Sequence, residues 1–234
     1  MTKKEPELSK PTMLGKALRI AAIILFGLTV VFSLLAGIGT SCVALGAEKY
    51  DSMRALVPFK FLYLIFVVLT IAASLYGIRA LIGLVKNRPA AFKEALWALV
   101  ACLAVAVAQV VASRLLRGKS MPNDMRVYIS LLTLIVFLVL RIPRLWSQAG
   151  MGNPGGDTGS LAAGASLFIC GVVVLTVQWW AGPTHTWEGV NFADVWHVQL
   201  AVLGWGLVAG SLLPLRKYVR GSVATEESAT SAVS

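Results

Sequence analysis

The sequence predicts an all-α integral membrane protein: a bundle of six transmembrane helices with both termini cytoplasmic and no soluble domain. Three observations carry this expectation. The chain is 57% hydrophobic and only 14% charged, with a mean hydropathy of +0.77, whereas soluble domains carry about 25% charged residues. Six apolar runs reach the length of about 20 residues that a helix needs to cross a bilayer; they fall at 17–40, 61–85, 92–113, 127–145, 160–181 and 195–215. The basic residues, which give a net charge of +10, sit between those runs.

Residues 1–16 form a basic N-terminal segment ahead of the first run. That run is longer than the roughly 7–15 apolar residues of a cleaved signal. The stretch Gly39-Thr40-Ser41-Cys42 has glycine where a lipoprotein processing site needs a bulky aliphatic residue, so an uncleaved anchor is expected. Breakers mark three connections: Asn87-Arg88-Pro89, 118–122 and the glycine-rich 150–159. The fourth run is the shortest, its end crowded by Arg141 and Arg144. Pro214 is expected to bend or end the sixth run. The transmembrane domain is thus read as 17–217, followed at 218–234 by a cytoplasmic tail. From Ser222 the tail is small and polar and reads as disordered.

Orientation follows from lysine and arginine, which accumulate on the cytoplasmic side. With the N-terminus inside, fourteen of the 21 basic residues are cytoplasmic: Lys3, Lys4, Lys10, Lys16, Arg19, Arg79, Lys86, Arg88, Lys93, Arg141, Arg144, Arg216, Lys217 and Arg220. The seven outside are Lys49, Arg54, Lys60, Arg114, Arg117, Lys119 and Arg126. The expected location is a plasma membrane, read as the inner membrane of a bacterium. The expected partners are the lipid bilayer and a membrane protein docked on small-residue helix faces. Nucleic acid is excluded, because the positive charge is dispersed between spans and forms no patch.

Several functional classes lack the residues they need. Cys42, Cys102 and Cys170 are odd in number and form no C-x-x-C pair, so neither a disulfide framework nor a zinc cluster is implied. No Asp, Glu, Lys or His falls near the middle of a run, which argues against an ion-coupled carrier. No nucleophile–base–acid set is readable, and the chain is read as non-enzymatic. Small residues recur on single faces: Thr29, Ser33, Gly37 and Ser41; Ser160, Gly164 and Gly171; Gly206 and Gly210. Such faces let helix backbones approach closely within lipid.

Two candidate sites remain. Polar residues gather in the outer third of the spans, and Ser41, Cys42, Gln109, Tyr128, Gln178 and His197 are expected to line a shallow pocket open to the outside. Tyr63, Ser130 and Thr133 lie at the same depth. The second candidate is the last outer connection, where His185, Glu188, Asp194 and His197 could hold a divalent metal, or the two histidines a haem. Glu188 and His185 stand on a loop, so their spacing fixes no geometry. Asp194 also suits the first turn of a helix capped by Asn191, and Trp179, Trp180, Trp187 and Trp196 read as an interfacial aromatic belt. No cofactor is therefore expected. The favoured function is a membrane subunit or binding protein; a redox or metal protein is the rival, and a small permease or channel is third.

Overall fold

The computed structural model describes residues 12–49, 51–120, 123–150, 158–182, 186–187 and 189–231. Helix α1 (Met13–Gly46) opens at Thr12, whose Oγ1 accepts from the Gly15 amide at 3.1 Å. Two short 3-10 segments (Ala47–Lys49 and Asp51–Phe59) lead to α2 (Lys60–Val85). A tight turn through Asn87, at φ 56, reverses the chain into α3 (Ala91–Arg117); asparagine tolerates this left-handed region better than most residues. Gly118, at φ 69, ends α3, and its amide bonds the Arg114 carbonyl at 2.9 Å. Then come α4 (Asn123–Leu140), α5 (Pro143–Ala149), α6 (Thr158–Leu175) and α7 (Val177–Trp180). A two-residue antiparallel ladder, β1 (Thr186–Trp187) with β2 (Val190–Asn191), precedes α8 (Phe192–Val195) and α9 (His197–Ser231).

Six of these helices, α1, α2, α3, α4, α6 and α9, are long and apolar enough to cross a membrane. The first and third run past their expected limits, and the last three depart from the sequence reading for readable reasons. The fourth span begins at Asn123 and stops at Leu140. Pro143 biases Ile142 away from helical geometry (ψ 127) and starts α5 as its first residue. The fifth span is interrupted at Thr176, whose hydroxyl bonds back to the Val172 carbonyl at 2.8 Å. The sixth neither ends at Pro214 nor gives way to a disordered tail, since α9 is helical through both to Ser231. No glycine or proline follows Gly221 to break it.

Helix α1 is the hub. It packs on α2, α4, α5 and α6, while α3 bridges α2 and α4; α9 is attached mainly through α6. The end of the bundle where α1 starts is here called proximal and the other end distal. The proximal half is apolar, with Ile23, Phe26, Leu84, Leu99, Phe137 and Leu140 closely packed. Phe137 lies 5.6 Å from Phe26 and 5.3 Å from Phe92, centroid to centroid. Ala91, Ala95 and Ala98 give α3 a narrow buried face. Large apolar side chains such as Phe61, Leu75, Trp97, Leu131 and Val202 cover the outside, as a lipid-facing surface requires.

Glycines set the closest helix approaches. A Cβ on Gly171 would stand 2.8 Å from the Gly204 carbonyl oxygen and 2.7 Å from Val208 Cγ2, and one on Gly164 would stand 2.5 Å from Leu215. On α9 the contact ridge runs through Gly204 and Val208. The expected pair Gly206 and Gly210 faces open space, because a two-residue offset turns it about 200° around the helix.

Candidate functional site

Above the apolar half, the interior of α1–α4 changes character. Thr29 Oγ1 and Thr133 Oγ1 lie 2.9 Å apart and fix the register of antiparallel α1 and α4. One turn further toward the distal end stand Ser33 on α1 and Ser130 on α4, both fully buried. Ser33 faces the Cys102 thiol of α3, without a hydrogen bond of ordinary geometry. Above them Arg126, only 2% exposed, reaches across the bundle. Its Nη1 donates to Gln109 Oε1 at 3.1 Å, and its Nη2 donates to Thr70 Oγ1 at 3.1 Å. Gln109 Nε2 in turn donates to Thr40 Oγ1 at 2.8 Å, and Thr40 donates to the Ala36 carbonyl at 2.7 Å. The most distal rung is Tyr63 Oη with Ser113 Oγ, 2.7 Å apart. Thus α1, α2, α3 and α4 each contribute to one internal polar column.

Helical period accounts for the assembly. Arg126, Ser130 and Thr133 recur at i, i+4 and i+7 and so share one face of α4; Cys102, Ala106, Gln109 and Ser113 do the same on α3. Gly37 keeps α1 close to α2 at this level, for a Cβ there would stand 3.1 Å from Thr70 Cγ2.

The column is electrostatically incomplete. Among the described residues no carboxylate pairs with Arg126: Asp124 is turned to Arg114 and Ser120, Glu94 to Arg79, Glu48 to Lys60 and Asp51 to Arg54. Arg126 Nε, Ser33 Oγ and Ser130 Oγ are buried without a hydrogen-bond partner. A cationic side chain costs about 2.5–3.5 kcal/mol at the centre of a membrane span and less toward its ends, and arginine stays protonated. Two neutral acceptors satisfy two of its nitrogens and leave the charge without a counter-ion. A second buried arginine, Arg19, lies at the proximal end, donating to Asn87 Oδ1 at 2.9 Å and more weakly to the Gly150 carbonyl at 3.4 Å.

The residues expected to line one outer pocket are dispersed. Gln109 lies at the centre of the column. Ser41 is partly buried and bonds the Gly37 carbonyl at 3.4 Å, whereas Cys42 is exposed. Tyr128 is 62% exposed, two residues from Arg126 and therefore on another face. Gln178 belongs to α7, where its backbone carbonyl accepts from Asn191 Nδ2 at 3.4 Å. His197 is exposed, its Nδ1 2.7 Å from the Asp194 carbonyl. Asn191 Oδ1 accepts from the amides of Ala193 and Asp194, which gives Asp194 its helix-start position. His185 and Glu188, half of the expected metal set, lie outside the described residues. Among the described residues no three His, Cys, Asp or Glu side chains converge.

Sequence reasoning missed Arg126, Thr40 and Thr70. Arg126 follows Arg117 and Lys119 and reads as part of the connection. The available signal was its seven-residue stripe with Ser130 and Thr133, which continues the buried face of the span. The chain matches no protein-family model, no curated protein and no solved structure. What fold and site define together is a class: a helical protein with six helices long and apolar enough to cross a membrane, and a cation enclosed among neutral polar groups.

Proposed function

We propose that this chain is a non-enzymatic multi-pass membrane protein, a binding protein or membrane subunit, whose polar half of α1–α4 holds a small solute. The observation that supports this reading is the column converging on Arg126. Interhelical hydrogen bonds between neutral side chains suffice to lock a bundle, and a buried cation is an expensive way to make them. In this reading both termini are cytoplasmic, the distal end faces outward, and the membrane is a bacterial inner membrane. Setting aside the two buried arginines, Arg19 and Arg126, leaves thirteen basic residues on the inner side and six on the outer, which supports the same orientation.

The test is access from outside. With Cys42 replaced, Gln109→Cys in intact cells should react with a small membrane-impermeant thiol reagent. Complete protection, in a protein that still folds, would leave the column as a packing device and sink the binding reading.

A further inference from the structure

We infer that the Arg126 cluster is a binding site for one small monovalent anion, of which chloride is the biological form. The inference rests on the binding reading above and specifies the class of ligand. Charge comes first: Arg126 brings one positive charge into the bundle, and no carboxylate among the described residues meets it. One negative charge balances it, and a divalent anion would overshoot.

The donors come next. Thr29 and Thr133 fix the register of α1 and α4, so one turn distal of that pair Ser33 and Ser130 stand at the same level on facing helices. Arg126 lies one further turn along α4, and the Cys102 thiol is within electrostatic reach of it. Three buried polar atoms over these two turns, Arg126 Nε, Ser33 Oγ and Ser130 Oγ, make no hydrogen bond of ordinary geometry, Ser33 lying beside the Cys102 thiol. Each can donate: the arginine nitrogen as N–H, the serines as O–H. Gln109 Oε1 and Thr70 Oγ1 accept from the other two guanidinium nitrogens, and neither reaches Arg126 Nε. What is left over is one cationic N–H and two hydroxyls able to turn their protons toward it, a set from which an anion can accept.

Size is the last constraint. Ser33 and Ser130 are fully buried, and Arg126 is 2% exposed. A halide accepts several donors without directional demands and brings no organic body to house. A carboxylate metabolite would bring one.

The experiment uses purified full-length protein in detergent at constant ionic strength, replacing gluconate stepwise by chloride or bromide. The wild-type melting temperature should rise with halide and saturate, and radiolabelled chloride should bind at about one per chain. Arg126→Gln should abolish the halide dependence. If that variant fails to fold, Ser33→Ala with Ser130→Ala should lower chloride affinity several-fold while the protein stays helical. Equal melting in gluconate and halide with no bound label, or an unchanged halide response in the variants, would overturn the anion site. The outcome is separable from the access test. Halide binding with Gln109→Cys protected means a sealed structural anion; labelled Gln109→Cys without halide binding means a solute of another class.

Discussion

Gln109 is the best place to test whether the column acts as a unit. Replacing it by leucine keeps the volume close but removes the acceptor of Arg126 Nη1 and the donor to Thr40. A single interhelical hydrogen bond in a membrane averages about 0.6 kcal/mol, so two neutral ones would sum to about 1 kcal/mol. A bond to a charged group is worth about 1.5–3 kcal/mol, and its loss leaves a cationic N–H unmatched. Gln109→Leu should therefore cost about 2–3 kcal/mol. Arg126→Met removes the charge along with the need for that acceptor, and swapping a buried ion for an apolar side chain is often close to neutral. The orphaned Gln109 Oε1 and Thr70 Oγ1 should hold its cost to about 1–2 kcal/mol. Independent sites would give a double mutant at about 4 kcal/mol. A shared network predicts about 2 kcal/mol, a coupling of about 1–2 kcal/mol. Reversible unfolding in mixed micelles, followed by circular dichroism on all four proteins, measures the cycle. Additivity within about 0.5 kcal/mol would refute the network and the claim that the charge dominates it.

Three further outcomes are expected. Gly171→Ala should destabilise the α6–α9 contact by about 1–3 kcal/mol, because its Cβ meets the Gly204 backbone, whereas Gly206→Ala points into open space and should change stability by under about 0.5 kcal/mol; equal effects in a thermal assay would contradict that packing. A reporter active only outside the cytoplasm should work when fused at Thr186 and stay silent after Ser234; the reverse pattern would invert the orientation and place the polar column on the cytoplasmic side. His197→Ala should be nearly silent, within about 0.5 kcal/mol, since the side chain is exposed, and the purified protein should show no Soret band. One haem or metal per chain, lost on removing either histidine, would restore the rival site.

The six spans were legible because length and apolarity decide them, and both are properties of the sequence alone. Their ends were less so. The stop at Leu140 depends on Pro143 acting backwards on Ile142, and the run of α9 past Pro214 depends on one missing hydrogen bond being affordable in a long helix. Depth was readable for Gln109, Ser130 and Thr133, but depth does not say which way a side chain points. Tyr128 and Arg126 sit at neighbouring depths on different faces, one outside the bundle and one sealed within it. Charge near a span end ordinarily marks a flank, so only the three-residue stripe on α4 could have moved Arg126 indoors. Gly204 and Gly206 pose the same problem, because spacing identifies a small face but not its partner.

The placement of Arg126 also bears on how the chain is threaded into the bilayer. Helix α4 is 18 residues, about 27 Å long, against a hydrocarbon core of about 30 Å. It is also less apolar than α3. With an arginine one turn from its start, α4 is poorly suited to partition into lipid alone during synthesis. Gln109, an acceptor for that arginine, already lies in α3, and only residues 118–122 separate the two helices. Insertion of α3 and α4 together as a hairpin would give the guanidinium its Gln109 acceptor on entry. Lengthening 118–122 with a long flexible polar stretch would separate the two events, and the defect would appear as a fraction of chains with α4 left outside the membrane.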